Sequence, residues 1–340
     1  MEVNSAAPNP VPVPGSRRHL FIINPAAKRI KGNTKPVTDA IAAFFAKHTW
    51  ITYDVYVSEW CRDAIMYIQQ YVEGITTGEV VRIHAMGGTG MLFEVINSVV
   101  GLPHVEVASY PYGKANSFLK YFGARNEKLF SAIESQVFDQ AVPMDVIRCG
   151  NNYGICYGMT GIEAYANILG EVLINKKLPG DISYMFAGVC VILGGKVSQK
   201  YFIEIDGEQV EGDFISIMVA NAPCYGLNMY PAIDAHPDDG MLDVYVVKNA
   251  PTMKILRIIP GYTHGKYRSM PDLVSHYRAK KIRLSSDQVM CISVDAEYFY
   301  GTSIEYEVMP HAIKFVCPVE IDLMKLPRVY NRPREGLRGE

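Results

Sequence analysis

Three short apolar runs in the N-terminal third of this 340-residue chain, each stopped by a turn, constrain its fold more than any other feature. The first is His19-Leu20-Phe21-Ile22-Ile23, stopped by Asn24-Pro25. The second, Val80-Val81-Arg82-Ile83-His84-Ala85-Met86, breaks at Gly87-Gly88-Thr89-Gly90. The third, Val105 to Tyr110, runs into Pro111. Continuous apolar runs of this length read as strands buried on both faces. Segments of helical spacing stand between and beside them at Thr38 to His48, Ala64 to Val72 and Met91 to Val100, and Asn116 to Phe122 reads as a further helix start. Thr52 to Val57 alternates as another strand. Alternating strands and helices predict a parallel sheet with crossover helices, and ligands bind at the loops leaving the carboxyl ends of such strands.

The pattern changes near Val142. Short strands are expected around Ile147 and at Ala187 to Leu193, Lys200 to Ile205, Phe214 to Ala220 and Leu242 to Val247. More follow at Lys281 to Leu284, Val289 to Val294 and Ile304 to Val308. Asp206-Gly207 marks a hairpin. Helices interrupt at Gly161 to Leu178 and Thr252 to Ile259. The expected organisation is a disordered, Pro-rich leader over 1–17, an α/β domain with a parallel sheet over 18–142, and a β-rich, antiparallel, sandwich-like domain over 143–318. A basic tail over 319–340 carries Lys325, Arg328, Arg332, Arg334 and Arg338 and returns toward the N-terminal domain.

Composition narrows the function. Hydrophobic residues make up 49% and charged residues 20%, enough apolar material for a sizeable core. The net charge of −2 gives nucleic-acid binding no electrostatic support. Seven scattered cysteines, none at C-x-x-C spacing, read as free thiols in a reducing compartment. The longest apolar stretch, Tyr184 to Leu193, is shorter than the roughly 20 residues a membrane-spanning helix takes. A cytoplasmic protein that touches a membrane only peripherally is the expected setting.

Three features carry chemistry. Glycines after a buried strand, as at Gly87-Gly88-Thr89-Gly90, let backbone N–H groups approach a phosphate, with the following helix adding its positive end. The same turn also serves as a bare strand-to-helix connection. Asp238, Asp239 and Asp243 crowd carboxylates beside Gly240, as a hard cation requires, or as a solvated acidic turn presents. Asp295 and Glu297 follow an apolar run, and strand alternation would place both on one face.

Met86-Gly-Gly-Thr-Gly-Met-Leu-Phe-Glu-Val-Ile-Asn-Ser-Val99 resembles the GGDGT-L-x-E-V-x-N-G motif of the diacylglycerol kinase-like lipid kinases, sphingosine kinases and NAD kinases. Asn24-Pro25-Ala26-Ala27 is similar to the first nucleotide loop of that superfamily, and Pro111-Tyr-Gly-Lys-Ala-Asn116-Ser-Phe118 to its P-x-G-T-x-N-D-F loop. Tyr157 to Ala164 resembles the G-x-G-x-D-A segment. Pro237-Asp238-Asp239-Gly240-Met241-Leu242-Asp243 resembles D-D-G-x-L-D, and Val294-Asp295-Ala296-Glu297 resembles V-D-G-E. These matches run in family order over about Leu20 to Pro318, and the D-D-G-x-L-D block favours the lipid-kinase branch over the NAD kinases.

The resemblance implies ATP- and Mg²⁺-dependent phosphorylation of a diacylglycerol-like hydroxyl in an interdomain cleft. It implies nucleotide contacts from Asn24, Pro25, Ala26, Ala27, Lys28, Gly87, Gly88, Thr89, Gly90, Lys114, Asn116 and Glu297. It gives Asp295 as general base, and a structural Mg²⁺ on the Asp239 carboxylate and the backbone carbonyls of His236 and Met241. The implied partner is a lipid at the membrane surface, with a homodimer as an open alternative; no nucleic acid and no transmembrane segment are implied. Four stretches depart from the pattern: Thr89 replaces the Asp of GGDGT and Met91 its Thr, Lys28 a glycine of the first loop, Lys114-Ala115-Asn116-Ser117 stands for T-x-N-D, and Ala296 for the glycine of D-G-E. The alternative is therefore a catalytically impaired relative that binds lipid or nucleotide.

Overall fold

The computed structural model describes residues 17–75, 78–123, 126–175, 180–195, 198–225, 229–295, 297–321 and 326. Nearly all of the expected leader, most of the basic tail, and Ala296 lie outside these described residues.

The N-terminal half alternates as its apolar runs require: β1 (Arg17–Ile23), α1 (Lys35–Phe45), β2 (Thr52–Val57), α2 (Asp63–Glu73), β3 (Val80–Gly87), α3 (Thr89–Val99) and β4 (Val105–Pro111). The strands lie parallel in the order β2-β1-β3-β4. Helices cover both faces, so Leu20 to Ile23 and Val105 to Tyr110 are buried without alternation. α1 turns Ile41 and Phe45 inward, and α2 turns Ala64, Ile68 and Val72. α3 is buried nearly all round: Leu92, Val95 and Ile96 pack with the N-terminal core, while Phe93 packs with Ile147, Val294 and Tyr306 of the other half. The helix that follows the glycine turn is thus wedged between the two halves.

The expected helix from Asn116 is instead a pair of 3₁₀ turns, Phe118–Phe122 and Asn126–Ser131, before α4 (Ile133–Phe138). Gly123, at φ 96°, ends the first. β5 (Ala141–Cys149), β6 (Asn152–Gly154) and β7 (Tyr157–Gly161) lead into two helices, α5 (Ile162–Asn175) and α6 (Gly180–Leu193). Then come β8 (Gln199–Ile205), β9 (Glu208–Ala220), β10 (Leu242–Lys248), α7 (Thr252–Tyr262), β11 (Val274–Ala279), β12 (Lys281–Val294) and β13 (Glu297–Val316). The antiparallel order is β11-β10-β9-β7-β12-β13. Asp206 and Gly207 turn the β8–β9 hairpin with φ of 47° and 93°, the mirror-image turn that matches strand twist.

One strand expectation is corrected. Ala187 to Leu193 is helical, the end of α6. Ser183, Ala187 and Ile192 face inward while Met185, Phe186 and Leu193 are exposed, a helical rather than an alternating period. A wholly apolar run cannot distinguish the two by periodicity. Two expected strands, at Lys281 and Val289, prove to be one, β12, with a register shift between Ser285 and Met290.

β13 joins the halves. Its 20 residues pair antiparallel with β12, then with β5, and finally Lys314 and Phe315 lie parallel to Glu106 and Val107 of β4. The end of β13 already returns the chain to the parallel sheet, and Ile321 and Leu326 beyond it are buried in the core cluster that holds Leu20 and Val81.

Candidate active site

Three loops leave the carboxyl ends of β1, β3 and β4 side by side, and backbone hydrogen bonds staple them together. Asn24 N–H donates to Met86 O at 3.1 Å, and Tyr112 and Gly113 N–H both donate to Gly87 O at 2.9 and 2.8 Å. Gly88 and Gly113 touch backbone to backbone: a Cβ built on Gly113 would stand 2.2 Å from Gly88 Cα. These glycines are needed for loop-on-loop packing whatever binds above them. The Asn24 side chain closes its own turn, accepting from Ala26 N–H at 2.9 Å.

Above the loops lies a cleft of about 530 Å³. Its wall includes Asn24, Pro25, Ala26, Ala27, Lys28, Gly88, Thr89, Gly90, Lys114 and Glu297, ten of the residues expected on the nucleotide. Gly87 and Asn116 are not on that wall. Gly87 packs under Met91, and Asn116 binds within its own loop, accepting from Gly113 N–H at 3.2 Å and donating to Glu127 at 3.1 Å. The second half contributes Glu171, Ile174 and Tyr184, which the sequence did not single out. The Arg62 guanidinium, at the start of α2, pairs with Glu297 at 2.6 Å and so ties the two halves together beside the cleft.

The Thr89 hydroxyl donates to Ala115 O at 3.2 Å and accepts from Ser117 N–H at 3.4 Å. It reinforces the tie that the Thr89 backbone N–H makes to the same Ala115 O at 3.2 Å; a carboxylate there could accept from Ser117 N–H but would lose the donation to the carbonyl.

Asp295 does not sit on a strand face with Glu297. β12 ends at Val294, and Asp295 occupies the following turn at φ 49°. Alternation does not carry across a turn, so the two carboxylates diverge. Glu297 reaches the cleft, while Asp295 is buried and accepts three backbone N–H groups, from Ile155 at 2.7 Å, Cys156 at 3.0 Å and Tyr157 at 3.1 Å. Burial pushes its carboxyl up to about 6, against the pull of those three donors. A general base must come within hydrogen-bond reach of the proton it takes. In this geometry Asp295 instead holds the β6–β7 segment.

The expected metal set also meets a different arrangement. Asp239 Oδ2 is paired with Arg278 Nη2 at 2.6 Å, and Asp239 Oδ1 accepts from Met241 N–H at 3.0 Å. Asp243 accepts from His276 Nε2 at 2.6 Å. Neighbouring Asp145 accepts from Gly240 and His311 N–H at 2.7 and 2.8 Å. Both Asp239 oxygens are thus engaged, one of them by a fixed cation. A magnesium ion on Asp239 and the carbonyls of His236 and Met241 would have to displace the Arg278 guanidinium from Asp239 Oδ2.

A second, apolar pocket of about 80 Å³ lies between the sheet and helices α5, α6 and α7. Ile162, Ile192, Ile215, Val247 and Ile259 line it, and its one buried acid, Glu163, is held by hydroxyls of Ser216, Tyr225 (3.0 Å) and Tyr262 (3.4 Å). Burial raises the Glu163 carboxyl above its ordinary range. Tyr184 lines both this pocket and the cleft. Among the described residues no helix is long and apolar enough to cross a membrane.

Residues 18–149 match the family model of the diacylglycerol kinase catalytic domain, and residues 158–317 that of the YegS C-terminal NAD kinase beta sandwich-like domain. Two Staphylococcus aureus proteins (strains Mu3 and Newman), each named "Putative lipid kinase", are 27% identical over 294 residues, covering 85% of this chain and 92% of theirs. The fold is that of a crystallised diacylglycerol kinase from Bacillus anthracis, with a TM-score of 0.65 at 18% identity over 90% of this chain and 98% of that one. Two consecutive domain matches on this fold settle the kinship: the chain belongs to the diacylglycerol kinase-like lipid kinase superfamily.

Proposed function

We propose that this protein is an ATP- and Mg²⁺-dependent kinase that phosphorylates a hydroxyl of a diacylglycerol-like lipid. The observation that carries this reading is the placement of Tyr184, which lines both the loop-walled cleft and the apolar pocket. A phosphate-suited surface thereby adjoins an apolar space that, as it stands, has room for the first few methylenes of an acyl chain. In this reading the 18–142 unit holds the nucleotide and the 143–318 unit the lipid.

Lys28 and Lys114 offer positive charge on the cleft wall, and the α3 N-terminus adds its partial positive charge. Bound ATP with its Mg²⁺ supplies the phosphoryl group and offsets its charge. Phosphoryl transfer depends chiefly on positioning and charge neutralisation, which loops stapled to one another supply. Exposed Met185, Phe186 and Leu193 on α6 favour transient contact with a membrane surface, from which the lipid would enter.

The test is transfer of radiolabelled phosphate from ATP to diacylglycerol in mixed micelles, with Mg²⁺ present and absent. Gly188 lines the apolar pocket, and a Cβ placed there meets nothing within 4 Å. Gly188→Leu should therefore raise the KM for lipid while leaving the KM for ATP unchanged. ATP binding without transfer to any lipid would favour a nucleotide-binding relative that has lost catalysis.

A further inference from the structure

Glu94 stands on the second turn of α3, four residues after Gly90 of the glycine turn. Residues four apart on a helix are neighbours, and helical side chains lean toward the N-terminus. Glu94 therefore leans toward Gly90, which has no side chain to cover it. It lines the same cleft as Thr89, Gly90 and Lys28.

Its surroundings are unusual for a structural acid. Glu94 is only 9% exposed, yet its Oε2 has no hydrogen-bond partner and is shut off from water. The Arg62 backbone N–H lies close enough to favour the ionised carboxylate, and the Arg62 guanidinium is spent on Glu297 at 2.6 Å. Asp63 and Glu297 add negative charge nearby, and burial raises the Glu94 carboxyl above its ordinary range. An unpaired buried carboxylate oxygen destabilises a fold, so its retention at a cleft wall calls for a cation. Thr89, at the position where the related motif has an acid, is occupied in tying two loops together.

We propose that Glu94 is the carboxylate of the phosphate end of the cleft, holding the divalent cation of a bound nucleoside triphosphate in place of the acid absent at residue 89. Mg²⁺ and Mn²⁺ suit such a position, since they are commonly held by one or two carboxylates together with substrate phosphates. Glu59, Glu171 and Glu297 are the other acids on the same wall; Glu297 is already neutralised by Arg62, and Glu171 accepts from the Tyr298 hydroxyl at 3.2 Å. The proposal rests on the kinase reading only for the identity of the nucleotide.

The test compares the full chain with Glu94→Gln in two measurements. In ligand-free thermal melts, the amide should raise Tm by a few degrees, because an uncompensated buried charge is removed without loss of shape. By calorimetry with Mn²⁺·ATP, affinity should fall by about tenfold or more, while metal-free ATP binds both proteins equally. A lower Tm together with unchanged Mn²⁺·ATP affinity would overturn the proposal and make Glu94 a structural residue. Loss of Mn²⁺·ATP binding in the variant, with no lipid phosphorylated by the wild type, would sink the kinase reading and leave this one standing. A wild type that binds ATP in neither form would overturn both.

Discussion

Arg278 Nη2 lies 2.6 Å from Asp239 Oδ2, on a strand whose register sets Arg278 directly opposite Asp243. The guanidinium supplies the positive charge that two acids of the D-D-G-x-L-D block require. Melting temperature should accordingly be the same in EDTA and in millimolar Mg²⁺ for the ligand-free protein. Arg278→Ala should cost about 1–3 kcal/mol, the range for leaving a partly buried charged group without its partner. A Tm that climbs with Mg²⁺ in the wild type and ignores the substitution would restore the ion.

Restoring the family acid at residue 89 should not restore family chemistry. The Thr89 hydroxyl both donates and accepts, toward Ala115 O and Ser117 N–H. Thr89→Asp would set a carboxylate against the Ala115 carbonyl and lower stability by about 1–2 kcal/mol. Lipid phosphorylation should fall or stay level. Activity gained in the micelle assay would show that the loops can give up this tie.

Gly113→Ala tests the contact between the second and third loops. The added methyl would meet Gly88 Cα at 2.2 Å, backbone against backbone, so one loop must move. ATP affinity should drop by about tenfold, since the cleft wall is displaced. Thermal melts should show a loss of only about 1–3 kcal/mol, the usual range for local overpacking. Unaltered ATP binding would mean that the wall does not touch the nucleotide.

Asp295 predicts a pH signature. Its carboxyl stands near 6 in the fold and at an ordinary 3.8 when unfolded. Between those values the native state holds a proton that the unfolded chain has released. The stability this contributes is complete below 3.8 and is lost as pH rises through about 6. Asp295→Asn has no such proton, so the slope of stability against pH should flatten in that window. Asparagine tolerates the positive φ, but its amide nitrogen must face one of three N–H donors, which costs about 1–3 kcal/mol. A denaturant series from pH 4 to 7 reads both effects, and an unchanged slope would place the shifted group elsewhere.

The parallel sheet was legible because its strands are buried on both faces and stop at Pro or Gly, signals carried by a few adjacent residues. The Asp206-Gly207 hairpin was legible for the same reason. Short or glycine-rich strands such as β6 and β7 left no such mark, and neither did polar β11, which brings Arg278 to Asp243. Most of the loop residues expected on the nucleotide do line one cleft. The surroundings that the sequence did not show depend on distant partners: Ile155, Cys156 and Tyr157 reach Asp295 across about 140 positions, and no local pattern records them. Glu94 was in plain view inside the glycine motif. What distinguishes it is an oxygen without a partner, which only the folded arrangement reveals.

The strand β13 has a consequence for synthesis. During translation the first parallel sheet emerges with β4 as an open edge, because the segment that pairs with it, Lys314 and Phe315, is nearly the last part of the fold to leave the ribosome. An edge with unsatisfied N–H and C=O groups is a template for wrong partners. For most of its synthesis this chain therefore carries an unfinished sheet, and the strand that completes it also carries Glu297 to the cleft. Truncation before residue 314 would remove the segment that pairs with β4 and leave that edge as an adhesive margin, so the nucleotide loops reach a finished scaffold only once residue 315 has been made.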